Sequence, residues 1–180
     1  MVRLSLWCLL LAAALPAATN AKDQRKLAPP PAGKAVVYIG KMNAFVGAAA
    51  PYHFFADDRY IARVKGQTYV RLFMEPGQHV FWVSMMERRT FVKATLEAGH
   101  SYALYAKMMA YAEIFPITRE SVDWKEFGAM ITEDKPLVVP QEDIEEWQRG
   151  QPNYIQKALA EWTAAGEPAL KLKADEYIDD

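Results

Sequence analysis

With 180 residues, 52% of them hydrophobic and 24% charged, the chain is long enough for one domain with a sizeable core and too apolar to stay disordered. Lys and Arg number 21 against 22 Asp and Glu, which lacks the basic excess of a nucleic-acid binder. Five Trp and nine Tyr reinforce the globular reading.

The N-terminus has the order of parts of a secretory signal. Met1-Val2-Arg3 is a short positive region, Leu4 to Leu15 an apolar run too short to span a bilayer as a helix, and Pro16 a breaker. Thr19 and Ala21 then occupy the −3 and −1 sites of a cleavage after Ala21, so residues 1–21 read as a signal peptide. Cys8 is the only cysteine and lies inside the apolar run, too early for a lipid anchor. The mature chain therefore has no disulfide and no thiolate chemistry. Residues 22–33, ending in Ala-Pro-Pro-Pro-Ala-Gly, read as an extended Pro-rich linker. No second stretch is apolar and long enough for a transmembrane span.

From Ala35 to about Met109 short strands recur between turn residues. Ala35–Ile39 is apolar and rich in β-branched residues, and Tyr52–Ala56 is closed by an Asp57-Asp58 hairpin turn. Tyr60–Val64 and Thr68–Met74 alternate polar and apolar, with a turn at Lys65-Gly66-Gln67 between them. Pro76-Gly77 suits a type II turn, which requires positive φ at the glycine. Val80–Met85 is apolar on both faces, as a central strand would be. A turn at Glu87-Arg88-Arg89 leads to Phe91–Leu96, and one at Glu97-Ala98-Gly99-His100 to Ser101–Met109. The spacing predicts mostly antiparallel strands in a sandwich or open barrel, over residues 34–139.

Beyond Tyr111 the pattern changes. Phe127–Thr132 is a candidate strand. Residues 140–180 read as C-terminal helices with an acidic tail. One helix starts at Pro140-Gln141-Glu142-Asp143 and stops at Gly150, and a second runs from Pro152 to Ala165 with Gly166 as its cap. Ile155, Ala158, Leu159 and Trp162 share one face of the second, and a helix this short must bury that face somewhere. The tail Asp175–Asp180 reads as frayed.

The chain carries no phosphate loop, dinucleotide fingerprint, His-Glu-x-x-His or Gly-x-Ser-x-Gly. His53, His79 and His100 fall at strand ends or turns, and a metal site would need their rings to converge. His79 and His100 could meet if their strands pair. Without cysteine, a nucleophile would have to be Ser84, Ser101 or Ser121, none in a triad context. Asp57-Asp58 and Asp179-Asp180 are adjacent carboxylates, and adjacency does not supply convergence. The Met and aromatic residues around Trp82, Met85, Met86, Tyr102, Tyr105, Met108, Met109 and Tyr111 read as core or as the lining of an apolar pocket. No catalytic, cofactor-binding or metal-ligating residue is assigned.

The strand Ala35–Ile39, the Asp57-Asp58-Arg59-Tyr60-Ile61 hairpin, Gly66–Val70 leading to Glu75-Pro76-Gly77-Gln78-His79, and the strand start Glu97–Tyr102 resemble the DUF 2846 family of bacterial envelope proteins of unknown function. The Pro-Gly-x-His and Ala-Gly-x-x-Tyr pair is also similar to small β-sandwich domains of the PEGA type. The resemblance covers residues 35–106 and departs from the family pattern at Lys41–Phe45. It implies a β-sandwich and an envelope setting, with no catalytic residues to carry over. The expected function is a non-catalytic exported binding or structural module, periplasmic or secreted, with another envelope protein as candidate partner. A carrier of a small apolar ligand and an uncharacterised hydrolase are the alternatives.

Overall fold

A computed structural model describes residues 27–42, 50–166 and 170–179. The expected signal peptide and the first part of the linker lie outside these residues. The elements in order are β1 (Ala35–Lys41), β2 (Tyr52–Ala56), β3 (Arg59–Val64), β4 (Thr68–Met74), β5 (Gly77–Met85), β6 (Arg88–Leu96), β7 (Ser101–Met108), β8 (Ala112–Ile117), α1 (Trp124–Glu133), α2 (Gln141–Gly150), α3 (Tyr154–Ala165) and β9 (Lys171–Leu172). They form two packed sheets, ordered β4-β1-β7-β8 and β3-β2-β5-β6-β9, so the fold is mainly β with C-terminal helices and is not a closed barrel. Both sheets are mixed. β1 pairs with β7 in parallel, as does β6 with β9, whereas the remaining pairs are antiparallel as expected.

The parallel pairs follow from where the turns send the chain. Only β2–β3, β5–β6 and β7–β8 are hairpins. The turns after β3, β4 and β6 carry the chain from one sheet to the other. The Pro76-Gly77 turn is such a corner, and Gly77 has the expected positive φ, 134°. The tip of the β5–β6 hairpin is Met86-Glu87, with Met86 at φ 56°. Arg88 and Arg89, expected in the turn, already belong to β6.

Side chains fill three layers. Val37, Ile39, Phe54, Phe81, Val83, Val92, Tyr102, Leu104 and Ile114 interdigitate between the sheets. On the outer face of the β1 sheet, Val36, Tyr38, Tyr69, Ala103 and Ile117 are covered by Phe127, Met130 and Ile131 of α1. On the outer face of the β5 sheet, Phe55, Tyr60 and Trp82 are covered by α2 and α3 through Ile144, Trp147, Tyr154, Ile155 and Ala158. Strands covered on both faces read as continuous apolar runs, and every residue of β1 is buried.

Three expectations need correction. Phe127–Thr132 is helix, because Trp124, Phe127, Met130 and Ile131 repeat at helical spacing toward one face. β8 was not foreseen; its Pro116 looks like a breaker but is tolerated on an edge strand, where no further ladder bond is required. The acidic tail is not frayed up to Asp179. Ile178 is fully buried, its N–H donates to the Ser101 carbonyl (2.8 Å), and Leu172 of β9 enters the core between the sheets.

Gly40 permits the closest approach of helix to sheet. A Cβ there would lie 2.5 Å from Met130 Cε and 2.7 Å from Phe127 Cε2, and the Phe127 ring is fully buried and has nowhere to move. Gly40→Ala is expected to cost about 1–3 kcal/mol in a urea titration, the range of overpacked cores. The face of α3 expected to need burial is buried on its own domain, with Trp162 stacked on Phe91 at 5.5 Å. Since Trp162 is only half-buried, Trp162→Ala should destabilise the monomer by about 1.5–3 kcal/mol, below the range for fully buried aromatics.

Candidate functional site

The residues expected to carry chemistry are dispersed. The His79 ring, in β5, has Nδ1 2.7 Å from Asp57 Oδ2 and Nε2 2.9 Å from the Glu75 carbonyl. Asp57 Oδ1 also accepts the Val80 N–H at 2.8 Å, and its carbonyl accepts the Trp82 indole N–H at 3.2 Å. Asp57 is thus the brace of the β2–β3 turn, held at φ 52°, a conformation that aspartate tolerates better than most residues. His100 engages a different carboxylate. Its Nδ1 lies 2.8 Å from Asp179 Oδ2, and Tyr177 stacks on its ring at 4.2 Å. Asp179 also accepts the Ser101 N–H, so this pair ties the C-terminal tail to the start of β7. The two histidines serve separate braces, one in each sheet, and Asp180 lies outside the described residues.

The third histidine, His53, lies among aromatic rings, with Tyr60 at 5.9 Å and Trp147 at 6.0 Å between centroids. Burial, with help from the Arg63 charge, pushes its pKa below the ordinary histidine value. Among the described residues no three His, Cys, Asp or Glu side chains group as metal ligands do. No serine hydroxyl is hydrogen-bonded to a histidine among the described residues, although Ser84 stands opposite His53 in the β2–β5 pair. Ser84 Oγ lies 2.6 Å from Tyr154 Oη, Ser121 Oγ accepts the Thr118 N–H at 2.9 Å, and Ser101 Oγ is buried without a hydrogen-bond partner.

The Met and aromatic residues divide between layers. Tyr102 and Met85 enter the core between the sheets, Trp82 faces α3, and Tyr105 faces the α1 side. Met86 and Met109 are exposed. Met108 packs on the rim of the core, and Arg88 sits over the Tyr111 ring at 5.8 Å.

One polar cluster went unread in the sequence. Tyr105 Oη donates to Asp123 Oδ2 at 2.6 Å, and Lys107 Nζ donates to the same oxygen at 3.0 Å. The Tyr105 hydroxyl first, and then the Lys107 ammonium, hold the Asp123 carboxyl below its ordinary range against the opposing effect of burial. Asp123 stands at the N-cap of α1, so the cluster pins that helix to β7. The i, i+2 spacing of Tyr105 and Lys107 on one strand face was legible; the third member, on another element, was not.

The open surface lies at one side of the sandwich, where β3 and β4, the edge strands of the two sheets, come together. The extended segment Pro136–Pro140 crosses this side. Its Leu137 N–H donates to the Tyr69 carbonyl of β4 at 2.7 Å, and Leu137 and Val139 seal the core. Around the segment runs a groove in three lobes that share lining residues. A lobe of about 660 Å³ lies against α2, with Tyr60, Arg63, Asp143 and Trp147. A lobe of about 290 Å³ lies beside Ile61, Leu72 and Phe73. A lobe of about 510 Å³ is ringed by Lys34, Asp57, Arg59, Arg71, Glu75 and His79. Phe73 and Val138 are large apolar residues left exposed along it, at 54% and 80%. Burial pushes the Tyr60 hydroxyl, on the wall under Trp147, up to about 12.

Compared with protein-family models and with curated proteins, the sequence matches none. The resemblance to the DUF 2846 family therefore rests on the strand and turn residues alone.

The Asp123 cluster has a pH signature. Its folded-state pKa lies below the unfolded value of about 4. The stabilisation is therefore complete above that value and is lost as the pH falls through the folded-state pKa. In urea titrations from pH 7 to pH 3, the advantage of wild type over Asp123→Asn should be constant near neutrality and shrink below about pH 4.

Proposed function

We propose that the chain is an exported, non-catalytic binding module of the bacterial envelope, working through the groove between β3, β4 and the Pro136–Pro140 segment. The observation that carries this reading is a contrast in how polar groups are used. His79, His100, Asp57 and Asp179 are committed to braces of the fold, while the groove leaves Phe73, Val138 and arginine side chains open to a partner. An enclosed ligand carrier would need space between the sheets, where this chain packs side chains from both. A hydrolase would need a nucleophile hydrogen-bonded to its base, whereas the Ser84 hydroxyl engages Tyr154, Ser121 engages Thr118, and Ser101 Oγ has no partner. Export is supported by the order of charge, apolar run and small residues before Lys22.

Two measurements test the reading. Intact-mass analysis from the native host should give an N-terminus near Lys22 in the envelope fraction. An intact Met1 in the cytosol overturns the export half. A photo-crosslinking residue at Val138 should yield a discrete adduct in the envelope that excess unlabelled protein competes away. The same residue at Val122, which is 98% exposed at the start of α1, should yield none. Equal labelling from both positions removes the groove as the working surface.

A further inference from the structure

We propose that β4 binds an extended peptide by strand addition, and that the preferred peptide alternates acidic with β-branched apolar residues. The inference rests on the binding-module reading and names the ligand class of its groove.

The hydrogen-bonding direction of β4 follows from its neighbours. The Val36 N–H donates to the His100 carbonyl, toward β7. Main-chain groups alternate sides along a strand, so Ala35, Val37 and Ile39 turn theirs toward β4 and bond Met74, Leu72 and Val70. Tyr69, Arg71 and Phe73 consequently turn their N–H and C=O groups away from the sheet. The Tyr69 carbonyl confirms this direction, since it accepts the Leu137 N–H. The main-chain groups of Arg71 and Phe73 have no partner among the described residues, and they border two lobes of the groove. The chain thus already lays one extended segment on the first half of this edge and leaves the second half open.

Two of the other three edges, β8 and β9, are closed to such pairing. In β8 the Ile114 N–H donates to Thr90 Oγ1 at 3.1 Å, and Pro116 removes a donor. β9 is only two residues long. Exposed edges are ordinarily guarded in these ways, and β4 has only its arginine.

Charge and face select the ligand. Of the groups ringing the lobe, Lys34 pairs with Glu75 and Asp57 is hydrogen-bonded to His79; with Arg59 and Arg71 the lobe carries three cationic side chains against two carboxylates, an excess of positive charge. Arg71 lies over the Phe73 ring at 5.4 Å on the outer face of the sheet. The inward row Val70, Leu72 and Met74 faces the core and Ile61. An added strand continues both rows, with acidic side chains beside Arg71 and apolar ones beside Leu72 and Ile61. A second copy of β4 paired in the register centred on Arg71 is disfavoured, because it would bring the arginines of the two copies together.

The test uses full-length mature protein and a fluorescent alternating Glu-Val octapeptide, with a Lys-Val counterpart and a Glu-Val peptide N-methylated on alternate amides. The Glu-Val peptide should bind at least about tenfold more tightly than either control. The Arg71 and Phe73 amides should shift and exchange more slowly with deuterium on its addition. Phe73→Pro removes an outward donor together with the ring, and Phe73→Ala removes the ring alone; if their melting temperatures match, the proline variant should bind at least about tenfold more weakly than the alanine variant. Arg59→Glu should weaken the Glu-Val peptide and favour the Lys-Val peptide. Equal binding of the N-methylated peptide, no binding of the Glu-Val peptide at millimolar concentration, or pairing of two copies through β4 overturns the proposal. Shifts confined to Arg63 and Trp147 also overturn strand addition while leaving the binding-module reading in place, because the Val138 crosslink tests that separately.

Discussion

The structure depends on burying β1 from both sides. Its seven residues lie between β4 and β7, face the second sheet with Val37 and Ile39, and face α1 with Val36 and Tyr38. A strand without a solvent face needs two covering layers, and α1 supplies the second by resting Phe127 and Met130 on Gly40. The buried Lys41 at the end of the strand obeys the same constraint. Its ammonium donates to the Ala50 carbonyl at 2.8 Å and sits 4.5 Å from the Tyr52 ring centroid, and burial lowers its pKa. Strand, helix and charge are placed by the requirement that nothing in β1 meets water unpaired.

The same requirement on the other sheet produces the groove. Phe55 stacks on Trp82 at 3.6 Å, and Tyr60 stacks on Trp147 at 4.1 Å, giving an aromatic face that α2 and α3 must cover. To reach that face from α1, on the opposite side of the molecule, the chain has to pass the edge where β3 and β4 meet. Pro136–Pro140 is that passage, extended because each proline restricts itself and the residue before it. The groove is therefore a by-product of the route between two helical covers, and its lining mixes apolar strand residues with the arginines of two edge strands.

Much of the local structure was legible. Period-two alternation located β3 and β4, the continuous apolar run identified β5 as central, and Pro140 and Gly150 bracketed α2. Phe127–Thr132 misled because a short apolar run fits strand or helix equally until its covering surface is known. The candidate site was less legible. His79 and His100 stood out by residue type, yet type does not reveal that Asp57 and Asp179 had claimed them.

The sequence by itself determined the seven strands from β1 to β7 and the two terminal helices to within a few residues, because periodicity, proline, glycine and capping residues act over a few neighbouring positions. The tertiary structure decided which turns are hairpins and which cross between sheets, which strands run parallel, and which edge stays open. A Pro-Gly or an Ala-Gly-His turn redirects the chain in either case, and the next strand's destination depends on which apolar face remains uncovered when it arrives. That is a property of the whole packed molecule, and no window of residues contains it.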